Sequence, residues 1–444
     1  MPAHRHKEAS MRIILLICLL GLAIPAPAMA AMAGYTVKAQ VHFRAAPSMR
    51  GAVIRTLDQN ESLTLLEEQG EWFKAATLSG TQGFVHRDTV STLWIKVHKL
   101  ERRLLVMDSG RAIREYRIAL CPFNPLGDKA YQGDGGTPEG RFFVCESLRD
   151  PGQAKYGARS MRLSYPSAED ARRGLHDGRI TYQTYAGIVR AVRNGLMPSQ
   201  STPLGGSIRI HGGGNGQDWT LGCLGMDDKD IEELFDLVPA KARVDIFTSA
   251  DQEKALGAGL ATRVLEGANA QLEHPALYSD YACGLVRMPY PAGDIREADA
   301  VCTDVVIRAL RHAGLDLQAL LHEDILTHPA RYSRWVKNAD TNIDHRRTRN
   351  LHTWLTYHAL ALPLDYETFP GTFDAGDILT MDTGIPNGTP LDHIGLVHTS
   401  RHQGVPLVFN IWTTGCTTSL MRLLGSDYPT IQGHFRLAHP FEYR

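Results

Sequence analysis

Residues 207–213 read SIRIHGG and residues 218–224 read DWTLGCL. The first run is a short β-branched strand that delivers His211 into a glycine-rich turn. The second run places Cys223 directly after Gly222, whose missing side chain lets the backbone approach a substrate closely. Acyl transfer by a cysteine needs a thiolate, an imidazole and backbone N–H groups that hold an oxyanion. This pattern predicts a nucleophilic cysteine site in a β-rich block.

Two upstream runs extend the pattern: GGTPEGRF at residues 135–142 and SYPSAEDA at residues 164–171. Together with the His-Gly and Thr-x-Gly-Cys runs, in this order, they resemble the signature of the YkuD-type L,D-transpeptidase domain. The resemblance implies that Cys223 is the nucleophile and that His211 is the base and later the acid. It also implies that the N–H groups around Gly222 and Cys223 hold the oxyanion.

The resemblance also implies a substrate, the peptidoglycan stem peptide. In that family the cysteine attacks the carbonyl of diaminopimelate in a tetrapeptide donor, and the terminal D-Ala leaves. The motif positions make Asp218, Trp219 and Thr220 candidate substrate-binding residues. Two positions depart from many members, because Leu221 replaces a His and Gly225 replaces an Arg or Asn. Transfer to an amine and hydrolysis by water therefore both stay open.

The N-terminus has the pattern of a secretory signal peptide. Basic residues precede an apolar run at residues 13–24, and Ala28-Met29-Ala30 follows as an A-x-A site. We expect cleavage after Ala30 and export, to the periplasm of a Gram-negative bacterium. A retained membrane anchor is the alternative, although the run is short for a span and prolines interrupt it. No later stretch is long enough to span a bilayer, so the mature protein is expected to be soluble.

Residues 31–93, the N-terminal block, read as short strands separated by turns. The runs VHFRAAPS at 41–48, EWFK at 71–74 and GFVH at 83–86 resemble bacterial SH3-like domains. The resemblance implies a small β-barrel that binds cell-wall peptide or glycan. A packing barrel without a ligand is the alternative.

The C-terminal block, residues 266–444, predicts helices first and antiparallel strands later, which is an α+β pattern. Cys302 lies at the start of an amphipathic helix, where the helix dipole favours a thiolate. His393 and Asn410 fall on later strands, so the three follow the order of a papain-like triad.

The run TNIDHRR at residues 341–347 adds a resemblance to the NlpC-type peptidase superfamily, and within it to a family of uncharacterised bacterial domains. The resemblance implies that Cys302 is a nucleophile, His393 a base and Asn410 its orienter. Arg346 and Arg347 are candidates for clamping a peptide carboxylate, because guanidinium forks suit carboxylates. A solvated basic loop is the alternative for these two arginines.

A chain of 444 residues is too long for one core. We therefore expect a signal peptide at 1–30, an SH3-like barrel at 31–93, a β-rich catalytic domain at 94–250, a linker or linking helix at 251–265, and an α+β papain-like domain at 266–444. The net charge of -1 argues against a nucleic-acid binder. No cysteine or histidine spacing suits a zinc site, so neither a metal nor a cofactor is predicted.

The predicted function is a two-headed peptidoglycan enzyme, an L,D-transpeptidase with a second cysteine amidase or peptidase. One alternative is a hydrolase, either an L,D-carboxypeptidase or an amidase. A non-catalytic wall-binding protein is another, although the Cys-His sets in both blocks argue against it. A toxin aimed at rival walls is the third.

Overall fold

The computed structural model describes residues 31–425, 429–438 and 442, so the predicted signal peptide lies outside the described residues. Three β-sheets follow one another along the chain, and each packs on its own buried apolar cluster. This confirms the predicted multi-domain architecture. None of the helices in the described part is both long and apolar enough to cross a membrane.

The N-terminal block is a seven-stranded antiparallel sheet in the order β3-β2-β6-β5-β4-β1-β7. Alternating side chains such as Leu63 and Leu65 on β4 point inward, as the period of a half-buried strand requires. The strands are β1 Met32–Thr36, β2 Val41–Arg44, β3 Val53–Leu57, β4 Ser62–Gln69, β5 Trp72–Thr77, β6 Gln82–His86 and β7 Val90–Ser91.

The middle block, residues 94–250, is built on an eight-stranded mixed sheet in the order β10-β9-β8-β15-β11-β12-β13-β14. Its strands are β8 Leu93–His98, β9 Arg103–Asp108, β10 Arg111–Arg117, β11 Gly140–Leu148, β12 Ser160–Leu163, β13 Arg209–His211, β14 Leu224–Gly225 and β15 Arg243–Phe247. Helices α1 Ala168–His176 and α2 Tyr182–Arg193 lie between β12 and β13, and α3 Asp228–Leu237 follows β14.

Helix α1 starts at a capping box that the sequence carries in the run SAED. The Ser167 hydroxyl accepts from the Asp170 N–H at 3.2 Å, and the Asp170 carboxylate accepts from the Ser167 N–H at 2.8 Å. Helix α3 begins after its N-cap residue, Asp227. Helix α3 packs its apolar side on the sheet, whereas α1 packs with α2 in a separate apolar cluster.

Residues 251–265, predicted as a linker or linking helix, lie in α4 Ala250–Ala258 and α5 Leu260–Glu273. Leu260, Val264 and Ala268 of α5 belong to the core of the C-terminal block. That block continues with α6 Asp280–Cys283, α7 Cys302–His312, α8 Leu317–Thr327, α9 Pro329–Tyr332 and α10 Thr348–His358.

The helices of the C-terminal block pack on an antiparallel sheet in the order β16-β21-β17-β18-β19-β20, which confirms the α+β expectation. Its strands are β16 Leu360–Ala361, β17 Ile378–Asp382, β18 His393–His402, β19 Val405–Asn410, β20 Ser419–Met421 and β21 Thr430–Arg436.

Buried polar contacts join the blocks. The His328 imidazole lies 3.0 Å from Asp58 of the N-terminal block and 3.0 Å from Asp324 of its own block. The fully buried Glu323 carboxylate accepts from the Tyr185 hydroxyl at 3.0 Å and from the Arg172 guanidinium at 3.0 Å, both in the middle block. These contacts hold the blocks in a fixed relation.

Candidate cysteine sites

Strand register brings the segments that carry Cys223 and His211 side by side. Strands β13 and β14 run parallel, with Ile210 opposite Leu224 and His211 opposite Gly225. Cys223 immediately precedes β14, two residues before the Gly225 that pairs with His211. The His211 carbonyl also accepts from the Met226 N–H at 2.8 Å, which fixes the register just past the cysteine.

The His211 ring is held in one tautomer. It is 2% exposed, and its Nδ1 lies 2.7 Å from the Gly212 carbonyl oxygen. A carbonyl can only accept, so Nδ1 carries the proton and Nε2 keeps a basic lone pair. The rings of Tyr156 and Trp219 contact the imidazole edge-on, with centroids at 5.1 and 5.5 Å. Burial lowers the pKa of His211, so the resting ring is neutral.

The Cys223 thiol is half-buried, with its sulfur 3.7 Å from the Ser207 carbonyl oxygen. Burial raises the pKa of this thiol, and the backbone N–H and guanidinium of Arg209 offset that rise only in part. The Arg209 guanidinium is itself buried and pairs with Glu146. At neutral pH both groups therefore rest uncharged, Cys223 as a thiol and His211 as a neutral imidazole.

The three predicted substrate-binding residues of the loop all make structural contacts. The Asp218 carboxylate accepts from the Arg102 guanidinium at 2.7 Å, and this contact holds the pKa of Asp218 below its usual value. The Trp219 indole N–H donates to the Gly214 carbonyl at 2.9 Å. The buried Thr220 hydroxyl donates to the Cys223 carbonyl at 2.7 Å, so Thr220 orients the backbone of Cys223.

The two departures from the family pattern change the rim of the site. The Leu221 side chain is 76% exposed and presents an apolar surface beside the cysteine. A Cβ on Gly225 would lie 3.2 Å from the Gly214 carbonyl oxygen and 3.2 Å from the Trp219 indole nitrogen. The position that carries Arg or Asn in many members is thus tightly packed here.

The second predicted site lies in the C-terminal block, where α7 meets β18. Cys302 is 7% exposed, and its sulfur lies 3.9 Å from the Asp392 carbonyl oxygen, the residue before His393. The His393 Nε2 lies 3.4 Å from the Asn410 Oδ1, a long contact, and the Trp412 ring packs against the imidazole. The fold thus brings helix and strands together in the predicted order.

Burial opposes the thiolate that the helix start favours at Cys302. Burial raises the pKa of Cys302 to about 12, and burial lowers the pKa of His393 to about 4. The Asp304 carboxylate, which accepts from the Val301 N–H at 2.9 Å, adds negative charge at the same helix end. Desolvation therefore outweighs the helix dipole at this thiol.

The two predicted arginines occupy different environments. Arg346 is buried and makes a bidentate ion pair with Asp304, with both N–O distances at 2.8 Å, and it also donates to the Ala282 carbonyl at 2.6 Å. Its side chain thus ties the loop before α10 to the start of α7. Arg347 is exposed and lines a cleft of about 280 Å³ next to Cys302. Of the two predicted arginines, Arg347 is the one exposed at that cleft.

Sequence reasoning missed two residues beside the first site. Tyr156, whose ring packs edge-on against His211, follows no pattern that would single it out. Thr137, whose hydroxyl donates to the Gly222 carbonyl at 3.1 Å, lies within the GGTPEGRF run but carries no role there. Among the described residues, no group of three His, Cys, Asp or Glu side chains is arranged to hold a metal ion.

Each of the three blocks matches a known protein family. Residues 39–91 match a bacterial SH3 domain, residues 92–246 an L,D-transpeptidase catalytic domain, and residues 265–437 a domain of unknown function, DUF1287. These matches confirm the predicted SH3-like barrel, the L,D-transpeptidase domain and an uncharacterised C-terminal domain.

Among curated proteins, the uncharacterized protein YijF of Escherichia coli is 39% identical over 150 residues, which cover 33% of this chain and 69% of YijF. Among solved structures, Bdellovibrio bacteriovorus Bd1075 is similar at 21% identity, with 41% of this chain and 59% of that one covered and a TM-score of 0.25. The helical cell shape determining protein Pgp2 of Campylobacter jejuni is similar at 19% identity, with 43% and 62% covered and a TM-score of 0.26. This chain thus spans about three fifths of those two structures.

Proposed function

The chain belongs to the family of Escherichia coli YijF and carries an L,D-transpeptidase catalytic domain, and from this premise we propose that it is an exported enzyme that remodels peptidoglycan through a Cys223 thioester. The observation that carries the proposal is the parallel pairing of β13 with β14, which sets His211 opposite Gly225, two residues after Cys223, while the Nδ1 contact leaves the Nε2 of His211 as base. The proposed substrate is the stem peptide, because the L,D-transpeptidase family acts on peptidoglycan.

In the acylation step, His211 Nε2 takes the thiol proton as the Cys223 sulfur attacks the carbonyl carbon of the donor peptide. A C–S bond forms, and backbone N–H groups at Gly222 and Cys223 hold the oxyanion. Collapse breaks the C–N bond, and His211 returns its proton to the leaving D-Ala amine. The resting thiol needs no stable ion pair, because proton transfer accompanies attack.

In the second step an acceptor attacks the thioester. An amine gives a cross-link, and water gives L,D-carboxypeptidase or detachment activity. The packed Gly225 position supplies no side chain for a second polar contact, and this keeps hydrolysis as the alternative. The exposed apolar Leu221 is the rim group that the acceptor meets.

For the C-terminal block we propose a second cysteine amidase or peptidase site, with Cys302 as nucleophile, His393 as base and Asn410 as its orienter. The open cleft beside Cys302 and the exposed Arg347 support a peptide ligand with a carboxylate. At the first site we also propose that Asp218, Trp219 and Thr220 contribute to substrate binding, while their contacts hold the loop in place.

Mature protein incubated with purified tetrapeptide muropeptides tests the proposal, with products identified by mass spectrometry. New dimers indicate transfer, and loss of terminal D-Ala alone indicates hydrolysis. Cys223→Ala should remove these products, and Cys302→Ala should remove any cleavage made by the second site. Cys145→Ala is the matched control, because Cys145 is also half-buried but lies on β11 outside both sites. Products that persist unchanged in Cys223→Ala would refute the proposal.

A further inference from the structure

A buried ammonium group organises the loop that faces Cys223. The Lys99 side chain is fully buried, and its Nζ donates to the carbonyl oxygens of Leu126, Gly127 and Thr137 at 3.0, 3.0 and 3.1 Å. The Glu139 carboxylate completes the shell at 2.8 Å. A buried charge is tolerated only when it is paired and fully hydrogen-bonded, so this shell fixes the backbone at Thr137.

Thr137 links this buried shell to Gly222, the residue before the proposed nucleophile. Its side chain is 1% exposed, and its hydroxyl donates to the Gly222 carbonyl at 3.1 Å. Gly222 has φ +111, a region that L side chains rarely adopt. A Cβ there would lie 2.8 Å from the Gly136 carbonyl oxygen, so the two loops are in direct contact.

Because the peptide bond between Gly222 and Cys223 is planar and trans, the Thr137 contact also sets the direction of the Cys223 N–H. The Gly222 carbonyl and the Cys223 N–H belong to one plane and point in opposite directions. When Thr137 holds the carbonyl toward the protein interior, the Cys223 N–H points the opposite way within the same plane. Thr220 holds the next plane through the Cys223 carbonyl at 2.7 Å. Two threonines therefore fix the peptide planes on either side of the nucleophile.

We propose that Thr137 is a positioning residue that aims the Cys223 N–H at the oxyanion, and that Lys99 secures Thr137 in that role. The inference rests on the proposed acylation of Cys223. If the plane flipped, the buried Thr137 hydroxyl and the Gly222 carbonyl would both lose their partner, which disfavours the flipped state. The contact thus keeps the oxyanion site formed before substrate binds.

Two reactions of the same sulfur separate this role from a merely structural one. Acylation of Cys223 by a carbapenem develops an oxyanion, whereas alkylation by iodoacetamide does not. Loss of one oxyanion donor costs about 10²–10³ in rate. We expect Thr137→Val to slow acylation by ~10- to 100-fold, a part of that effect, with alkylation within about twofold of wild type.

Two further variants complete the test. Thr137→Ser keeps the hydroxyl and should acylate near the wild-type rate. Thr202→Val is the matched control, because Thr202 is a buried threonine whose hydroxyl contacts the Gly205 carbonyl. Wild-type acylation in Thr137→Val, or equal slowing of both reactions, would overturn the inference. A wild-type protein that is alkylated but never acylated at Cys223 would instead overturn the proposed function, and the inference with it.

Discussion

Replacing Arg346 by methionine isolates the structural part of the C-terminal cleft. The change removes a guanidinium whose bidentate partner, Asp304, is only 4% exposed at its side chain. The carboxylate would then be a buried charge without its counter-ion. Breaking such a pair on one side costs about 3–5 kcal/mol of unfolding free energy. For a unit of 150–250 residues, this corresponds to a fall of about 6–20 °C in the melting temperature.

Differential scanning calorimetry of the mature protein measures this effect as a shift of the C-terminal transition. Arg347→Met is the matched control, because its neighbouring guanidinium is exposed, and it should change stability by less than about 0.5 kcal/mol. The double variant Arg346→Met, Asp304→Leu should regain part of the loss, because it leaves no orphaned charge. The reasoning is refuted if Arg346→Met melts at the wild-type temperature, or if Arg347→Met lowers the melting temperature as much as Arg346→Met does.

Two more predictions concern the first site and the block interface. Gly222→Ala forces a Cβ to 2.8 Å from the Gly136 carbonyl at φ +111, so we expect at least ~10²-fold slower carbapenem acylation of a folded protein; a wild-type rate would contradict this. Burial alone lowers the pKa of His328. The hydrogen bonds to Asp324 and Asp58 raise that pKa by more than burial lowers it, so the pKa in the folded protein lies above the ordinary value. The contribution of the His328 bridge to the stability of the folded protein is therefore full below about pH 6.5. It decreases as the pH rises through the pKa that His328 has in the folded protein. The melting-temperature gap between wild type and His328→Ala should shrink toward alkaline pH, and a gap that widens would contradict the bridge.

Local patterns predicted much of the fold. The short strands within residues 31–93 and the amphipathic helix that starts at Cys302 are each predicted by a local pattern, and the structure contains both. Helix α1 was missed because its capping box, Ser167 and Asp170, lies in the run that was interpreted as a family motif, and α2, which starts after Thr181, was not predicted either.

The site shows where sequence reasoning stops. The Cys223 and His211 pair follows from one continuous run, whereas the Thr137 contact joins residues 85 positions apart and needs the folded sheet. Arg346 and Arg347 are adjacent and chemically alike in sequence. Only the packing of Asp304 against one of them separates a buried tie from an exposed cleft residue.

Trapping the acyl-enzyme tests the central claim most directly. Mature protein is treated with a carbapenem, digested, and the modified peptide is sequenced by mass spectrometry. We predict a single adduct, carried by the sulfur of Cys223, that is absent in Cys223→Ala and strongly reduced in His211→Ala. An intact thiol at Cys223 in protein that has reacted elsewhere, or an adduct that persists in Cys223→Ala, would contradict the assignment of Cys223 as the nucleophile.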